Sequence, residues 1–334
     1  MDFADLTTLG AGNGEKRSRS AVRRSTRQRY GRLCFLLMIG FFSFHQPLAA
    51  QTQSSASNQA SGAISTQSTI TQKPKWEVGV GGGYFLGYDY PASNDTNQRA
   101  IALPYFIYRT PLFRFGDGGI RAVAVERPRL KLDLSIGGSL NASSQGNSAR
   151  QGMPDLDFLF EIGPQLELRL FEKRLASGSR LLARFSSEIR AVFSTDFRGI
   201  ESQGFIADMG VGVNVNNIAD SGITLISGLY TSIADETMHD YFYQVDPEFV
   251  TETRPLYDAR GGYLESTLFL GFAFQPLPQV RVFTGVIKGF YNGASNQDSP
   301  LFEVSEQTRY ALGVAWTIKT SKHMVDVVDM GSSD

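Results

Sequence analysis

The chain has 334 residues, of which 42% are hydrophobic and 19% charged, with a formal net charge of −1, and this balance excludes disorder over the whole length. Its longest apolar run, residues 33–44, spans about 12 residues, whereas a membrane-crossing helix needs roughly 20, so a polytopic helical membrane protein is excluded. The single cysteine, Cys34, lies in that run, so disulfides, cysteine-bound metals and thiol nucleophiles are excluded from everything beyond it.

Residues 1–50 have the order of a secretory signal peptide. Eight Lys and Arg residues lie between Lys16 and Arg32, the apolar run follows, and the small residues Ala49 and Ala50 precede Gln51. We therefore expect cleavage after Ala50 and export of the remainder to the periplasm.

Residues 51–75 are almost entirely Ser, Thr, Gln, Asn and Ala, a composition that cannot bury enough apolar surface to offset the entropy of ordering. We predict a disordered periplasmic linker there and a flexible polar tail at residues 320–334. Removal of the signal peptide takes 8 of the 32 basic and 3 of the 33 acidic residues, which leaves a net charge of −6. Nucleic acid is therefore not an expected partner.

From Trp76 to Lys319, apolar residues recur at every second position, which is the period of a β-strand. In residues 205–216, for example, Val211 and Val213 alternate with polar or small residues such as Asn214. The sequence therefore predicts an all-β chain whose strands have one apolar and one polar face.

Such strands suit either a soluble sandwich or an outer-membrane barrel, and three features favour the barrel. The predicted strands run about 10–17 residues, against about 5–6 in soluble sheets. Long connections alternate with short ones, and aromatic residues cluster near strand ends, where interfacial girdles belong. We predict a transmembrane antiparallel β-barrel over residues 76–319, located in the cell outer membrane and contacting its lipid and lipopolysaccharide.

The number of strands follows from parity, because an even number places both termini in the periplasm. The alternation predicts twelve strands, including two at residues 111–116 and 118–126. Ten strands are the alternative if residues 111–126 lie inside or outside the wall. A barrel of either size has a narrow interior that side chains can largely fill.

The polar faces of the strands carry charges of both signs, and the alternation points them into the lumen. Two roles stay open for them: pairing across the lumen as a polar plug, or lining a weakly selective pore. Pairing is the commoner role of an inward charge. The predicted lumen-facing charges are Arg109, Lys131, Asp133, Glu161, Glu167, Arg169, Arg184, Glu188, Arg190, Asp208 and Glu265.

Catalytic and metal-binding constellations are scarce in the exported chain. His239 and Asp240 adjoin in the longest predicted outer loop, where a solvated surface pair is a simpler interpretation than a protease-like site. A barrel phospholipase needs His and Ser side by side near the rim, and neither His239 nor His323 lies in a predicted strand. The carboxylates of the loop lack regular ligand spacing. We expect no enzyme activity, no cofactor and no metal.

Several collinear motifs resemble the MipA/OmpV family of outer-membrane proteins, with coverage of residues 76–319. They are residues 76–82 (WEVGVGG), Tyr90-Pro91, residues 103–105 (LPY), residues 161–164 (EIGP), Tyr243 with Val245, and residues 296–300 (NQDSP). The resemblance implies a barrel without catalytic residues. It further implies a scaffold that links a murein lytic transglycosylase to a bifunctional penicillin-binding protein, although other members are regarded as porin-like or as surface-exposed antigens.

Three functions therefore stay open: a scaffold for murein-processing enzymes, a narrow porin-like channel for small solutes, and a surface-exposed adhesin or antigen. We favour the scaffold, because a narrow lumen with mixed charges argues against a wide pore. The longest predicted periplasmic turn, residues 172–179, is the candidate docking surface, and it presents Lys173 and Arg174.

Overall fold

The computed structural model describes residues 69–109, 113–115, 120–122, 125–127 and 129–329. The predicted signal peptide, most of the predicted linker and the end of the tail lie outside the described residues. Strands dominate what is described, and one α-helix and two single-turn 3₁₀ helices, Ile218–Asp220 and Pro247–Phe249, lie in the connections. The elements are β1 (Thr69–Pro74), β2 (Trp76–Tyr88), β3 (Thr96–Arg109), β4 (Phe113–Phe115), β5 (Ile120–Ala122), β6 (Val125–Arg127), β7 (Leu130–Ser139), β8 (Phe158–Arg174), β9 (Arg180–Thr195), β10 (Ile200–Asn216), β11 (Thr224–Ala234), α1 (Glu236–Tyr243), β12 (Gly262–Leu277), β13 (Val280–Phe290), β14 (Glu306–Thr320) and β15 (Met324–Asp329).

The main sheet is antiparallel and curls around a lumen. Its hydrogen-bonded order is β5, β4, β3, β2, β14, β13, β12, β11, β10, β9, β8, β7, β6, so the first and last long strands, β2 and β14, are neighbours. The two ends of this order approach each other, because β5 contacts β7 and Nη2 of Arg99 in β3 donates to the carbonyl oxygen of Asn141 at 3.0 Å. Residues from all ten long strands line one interior cavity.

The strand count corrects the expectation of twelve full-length strands. Ten strands, each of 10–17 residues, are long enough to cross a bilayer, which matches the alternative of ten. Where two further strands were expected, the described residues form only the three-residue strands β4, β5 and β6. Pro111 and the glycines at 116, 118 and 119 interrupt the alternation there, and proline and glycine both weaken strand pairing.

The two faces of the wall differ in chemistry as the alternation requires. Large apolar side chains stand exposed on the outer face, where lipid rather than water is their natural solvent. In β10, Asn214 is buried on the inner side while Val211 is exposed on the outer side. The exposed outer residues include Val80, Phe106, Ile189, Met209, Leu229, Leu268, Leu312 and Trp316.

Four of the five connections at one end of the barrel are long, residues 196–199 being the exception, and those at the other end are short. At the long-loop end, residues 89–95, 140–157, 196–199, 235–261 and 291–305 join the strands, whereas residues 175–179, 217–223 and 278–279 form turns at the turn end. The barrel strands nearest the termini begin and end at the turn end, because Ser321 donates from its backbone to Trp76 at 2.8 Å. Short turns and both termini mark the periplasmic end of a barrel of this kind.

Both predicted flexible flanks contain ordered residues beside the barrel. Residues 69–74 of the expected linker form β1 and residues 324–329 of the expected tail form β15, and these strands pair antiparallel from Thr69 opposite Asp329 to Pro74 opposite Met324. Each segment contains β-branched residues suited to strands. The composition of 51–75 taken as a whole hid this, because polar residues dominate the segment and β1 itself contains one large apolar residue, Ile70.

Close backbone approach inside the lumen depends on glycine. The ring of Tyr230 lies against β10 and its own strand β11, and a Cβ at Gly210 or at Gly228 would lie 2.4 Å from a carbon of that ring. Glycine at both positions lets one aromatic side chain lie flat along the inner wall. Glycine at the inward positions of these alternating strands therefore leaves room for side chains that pack inside the lumen.

Candidate functional site

At the turn end, buried charged side chains form ion pairs on the inner side of the strands. Nη1 of Arg109 lies 2.6 Å from Oε1 of Glu77 and donates to the carbonyl oxygen of Pro74 at 2.9 Å. Nζ of Lys131 lies 2.9 Å from Oδ2 of Asp133, and Arg109, Lys131 and Asp133 are at most 4% exposed. Burial of charges requires such partners, because an unpaired ion in a low-dielectric interior is very costly.

Midway along the lumen, the inner faces of β8, β9 and β10 form an acidic wall, defined as Glu161, Glu167, Glu188 and Asp208 with Arg184 and Arg190. Arg190 contacts three carboxylates: its Nε lies 2.7 Å from Oε2 of Glu161, and its Nη atoms contact Glu188 and Asp208. Arg184 lies 3.5 Å from Glu167. The wall therefore holds two more carboxylates than guanidinium groups.

The remaining predicted lumen charges also have ion-pair partners. Arg169 lies 2.8 Å from Glu172 at the turn end, and Glu265 lies 3.2 Å from Arg309 on the side opposite the acidic wall. Sequence reasoning did not single out Glu77, Arg309 or Arg281, although all three occupy polar positions of alternating strands. Arg281 lies 3.7 Å from the second oxygen of Glu77, so three strands meet in that cluster.

A cavity of about 700 Å³ lies inside the barrel, and we call it the chamber. The acidic wall lines one part of it, and Arg99, Glu265 and Arg309 line another. Aromatic and aliphatic side chains complete the lining, among them Phe85, Tyr230, Phe269, Ile226, Met238 and Phe242. A chamber of this size and mixed chemistry lies within the range of small-molecule sites.

Four long loops fold together over the chamber, and we call residues 89–95, 140–157, 235–261 and 291–305 the cap. They share a buried apolar cluster that includes Tyr90, Leu156, Phe242, Tyr243 and Leu301. Since burial of one such side chain contributes about 1.5–3 kcal/mol, this cluster gives the cap a core of its own.

Buried tyrosines join distant parts of the cap. The Tyr90 hydroxyl donates to the Leu301 carbonyl oxygen at 2.8 Å, and the Tyr243 hydroxyl donates to the Pro91 carbonyl oxygen at 3.0 Å. Burial raises the pKa of both hydroxyls above the ordinary tyrosine value of 10.0. Both side chains therefore remain neutral donors at physiological pH.

His239 is a structural residue of the cap. It is 0% exposed, its Nε2 lies 3.1 Å from the Gly262 carbonyl oxygen, and its Nδ1 lies 2.8 Å from Nδ2 of Asn296. These partners assign the proton to Nε2 and leave Nδ1 as an acceptor. Burial lowers the pKa of His239, so the ring is neutral and both nitrogens are engaged, which leaves neither for acid–base catalysis. The expectation of a solvated His239 was wrong.

Two buried arginines bind backbone carbonyls within the cap. Arg150 donates to the carbonyl oxygens of Phe242 at 3.1 Å and Pro154 at 3.3 Å. Arg254 donates to the carbonyl oxygens of Ala149 at 2.8 Å and Phe249 at 2.8 Å. A guanidinium can satisfy several carbonyls at once because its donors are fixed in a fork, so each arginine holds two loop segments together.

Neither a helical span nor a metal site occurs in the part of the chain that the structure describes. No helix there has both the length and the apolar character to cross a membrane, and no group of three His, Cys, Asp or Glu residues is placed to hold a metal ion.

The predicted docking residues lie at the turn end. Lys173 and Arg174 are the next-to-last and last residues of β8, paired with Leu181 and Arg180 of β9, and both are exposed. Glu172 is held by Arg169 at 2.8 Å and by Arg180 at 2.6 Å. The two predicted docking cations thus extend beyond a small ion-pair network.

The sequence profile of the family described as MltA-interacting protein MipA matches residues 80–318. The chain belongs to the MltA-interacting protein family. As a member of that family with an apolar outer face, it is an outer-membrane β-barrel protein. The search of curated proteins gives no match.

Solved outer-membrane proteins are similar to this family member at low identity. An active-site mutant of outer membrane phospholipase A from Escherichia coli shares 13% identity over 77% of this chain and 94% of its own, with a TM-score of 0.27. The outer membrane protease OmpT from Escherichia coli shares 10% identity over 76% of this chain and 100% of its own, with a TM-score of 0.26. The monoaromatic hydrocarbon channel CymD shares 10% identity over 74% of this chain and 89% of its own, with a TM-score of 0.27. Likeness at these scores decides nothing about function.

Motif residues that suggested the MltA-interacting protein family meet in the cap, although they are far apart in sequence. Tyr90, Tyr243 and Asn296 all lie in its buried interior, and Ser299 donates to the Tyr243 carbonyl oxygen at 2.8 Å. Sequence reasoning did not foresee this meeting. One signal was present: the 233–261 connection is too long for an unstructured loop in a compact domain.

Proposed function

We propose that this barrel is a non-enzymatic scaffold that holds a murein lytic transglycosylase, and with it a penicillin-binding protein, at the periplasmic face of the outer membrane. The observation that carries the proposal is that buried side chains pack at both ends of the lumen. The cap packs over the long-loop end with its own apolar core, and the buried Arg109, Lys131 and Asp133 pack within the turn end. A barrel built in this way is better suited to presenting a surface than to conducting.

The family name supports the transglycosylase as the first partner, since the matched profile is that of an MltA-interacting protein. The penicillin-binding protein enters through the family resemblance alone. Contacts with lipopolysaccharide follow from the outer-membrane location and the exposed apolar belt.

Docking would occur on the periplasmic turns, with Lys173 and Arg174 as the recognition charges. Within the described residues neither side chain has an ion-pair partner, whereas the neighbouring Glu172 has two. Two exposed, uncompensated cations at a paired strand end favour a partner with an acidic patch, because complementary charge increases the association rate and specificity.

Affinity capture from detergent-solubilised envelopes tests the proposal. Wild-type protein should recover a lytic transglycosylase, and Lys173→Ala/Arg174→Ala should weaken that recovery. Lys319→Ala/Lys322→Ala is the matched control, because it removes the same charge from exposed residues at the same end of the barrel. Heat-modifiable migration on gels confirms that each variant has assembled.

The scaffold proposal fails if wild-type protein captures no murein enzyme, or if both double variants lose it equally. A narrow channel is the second candidate, and the polar chamber of about 700 Å³ is the observation that favours it. Stable ohmic conductance of the purified protein in a planar bilayer, without capture of a murein enzyme, would establish the channel in place of the scaffold.

A further inference from the structure

The chamber has an unbalanced charge that lies on one side. Six carboxylates line it, at Asp89, Glu161, Glu167, Glu188, Asp208 and Glu265, against four guanidinium groups, at Arg99, Arg184, Arg190 and Arg309. Glu265 pairs with Arg309, and Asp89 accepts hydrogen bonds from the side-chain amides of Asn97 and Asn147 at 2.9 and 3.0 Å. The uncompensated charge is therefore concentrated on the acidic wall.

Two oxygens of the acidic wall are open to the chamber. Arg190 binds Oε2 of Glu161 and Oε1 of Glu188. The other carboxylate oxygen of each glutamate accepts no hydrogen bond within the described residues, and neither is among the buried atoms that lack a partner. Asp208, by contrast, uses both oxygens, one with Arg190 and one with Ser232.

We propose that the chamber binds a small organic cation bearing one or two amines, held by Glu161 and Glu188. An ammonium group would satisfy the open oxygens with charge-assisted hydrogen bonds and neutralise the excess charge of the acidic wall. The aromatic and aliphatic lining, including Phe85 and Phe269, suits the methylene chain of such a ligand and offers ring faces to a cation.

An organic amine fits this lining better than a metal ion. Arg190 lies among the carboxylates, 2.7 Å from Glu161, and would repel a compact divalent ion placed there more strongly than it would repel the single charge of an ammonium group. No three-residue metal group is present in the described part of the chain. This site lies in the lumen and is separate from the proposed docking turns, so either proposal can fail without the other.

Equilibrium dialysis of 1,5-diaminopentane against the full mature protein tests the inference. The protein is refolded in detergent at pH 7 with the probe present, so that the cap closes around it. Saturable binding near one equivalent is expected. Glutarate, a dianion with the same five-carbon chain, should bind at least tenfold more weakly, because the wall repels it.

Glu161→Gln/Glu188→Gln should weaken binding of the diamine at least tenfold. This variant leaves Asp208 paired with Arg190 and Glu167 paired with Arg184, so the wall keeps one carboxylate for each guanidinium. Glu172→Gln/Glu306→Gln removes two charges outside the chamber and should leave binding unchanged. If heat-modifiable migration shows that the double variant does not assemble, the single variant Glu188→Gln replaces it and should give an intermediate loss of binding.

Failure of the wild-type protein to bind the diamine overturns the proposal, since the carboxylates must then be neutralised by protons. Equal binding by the chamber and control variants, or binding of glutarate as tight as that of the diamine, overturns it as well.

Discussion

Replacing Asn296 by alanine should loosen the cap without disturbing the barrel wall. The Asn296 side chain is 0% exposed. Its Nδ2 contacts His239 Nδ1 at 2.8 Å and donates to the Arg260 carbonyl oxygen at 2.8 Å, while its Oδ1 accepts from the Tyr257 hydroxyl at 3.2 Å and the Arg260 amide at 2.9 Å. One side chain thus joins three separate stretches of the cap.

The magnitude follows from what each partner can do after the substitution. Arg260 is exposed, so water can replace the bonds to its backbone at little cost. His239 is fully buried, so its Nδ1 would remain without a donor, which costs about 1–3 kcal/mol. With the lost hydrogen bonds and a small void added, we expect the cap to lose about 2–4 kcal/mol. Opening of the cap should therefore become roughly 30- to 700-fold more frequent.

Hydrogen exchange of the reconstituted protein measures this opening directly. Amides of α1 should exchange faster in Asn296→Ala by the stated factor, while those of β12 and β13 at mid-strand should not change. Asn292→Ala is the matched control, because Asn292 lies in the same loop but is exposed, and it should remain within about 0.5 kcal/mol of wild type. Unchanged exchange of α1 in Asn296→Ala, or an equal increase in the control, would refute the reasoning.

Three further predictions test the wall and the cap. Met209→Arg places a charge on the lipid face and should lower the free energy of unfolding by about 2–4 kcal/mol near the bilayer midplane. Gln165→Arg, beside the acidic wall, should lower it less. Denaturant titrations of the barrel in liposomes measure both losses, and equal losses would show that the faces are misassigned. Gly163→Ala should prevent assembly, because the added Cβ would lie 1.8 Å from a backbone oxygen of β9. Gly199→Ala is the control, because a Cβ there would have no atom within 4 Å, and it should refold with a normal yield of heat-modifiable barrel. Burial and nearby carboxylates raise the pKa of Asp240 from 3.8 to about 6, so the folded cap binds this proton more tightly than the unfolded chain does, and cap stability should fall as pH rises from about 4 to 6. Asp240→Asn should abolish that fall in exchange measurements on α1, and a variant that retains the full pH dependence would exclude this residue as its source.

The sequence by itself determined the class of fold and the chemistry of its faces. Alternation is a local property of period two, so residues such as Val211 and Asn214 receive opposite faces from their spacing alone, before any partner strand is known. The absence of cysteine beyond Cys34 and the long strands likewise needed no tertiary information. The same local reasoning predicted inward charges, and with them a polar lumen, from the polar positions of the strands.

Only the tertiary structure decided which charges meet and how the lumen is closed. Arg190 contacts Asp208 because of the register between β9 and β10. Tyr90 contacts Leu301, which lies 211 residues further along the chain. No repeating pattern in the sequence encodes either contact. The strand count was equally non-local. The apolar residues of 111–126 suggested two strands despite the proline and glycines among them, and the described part of this segment contains only short ones. Loops meet in a cap because their side chains find one another in space, and no period in the sequence records that encounter.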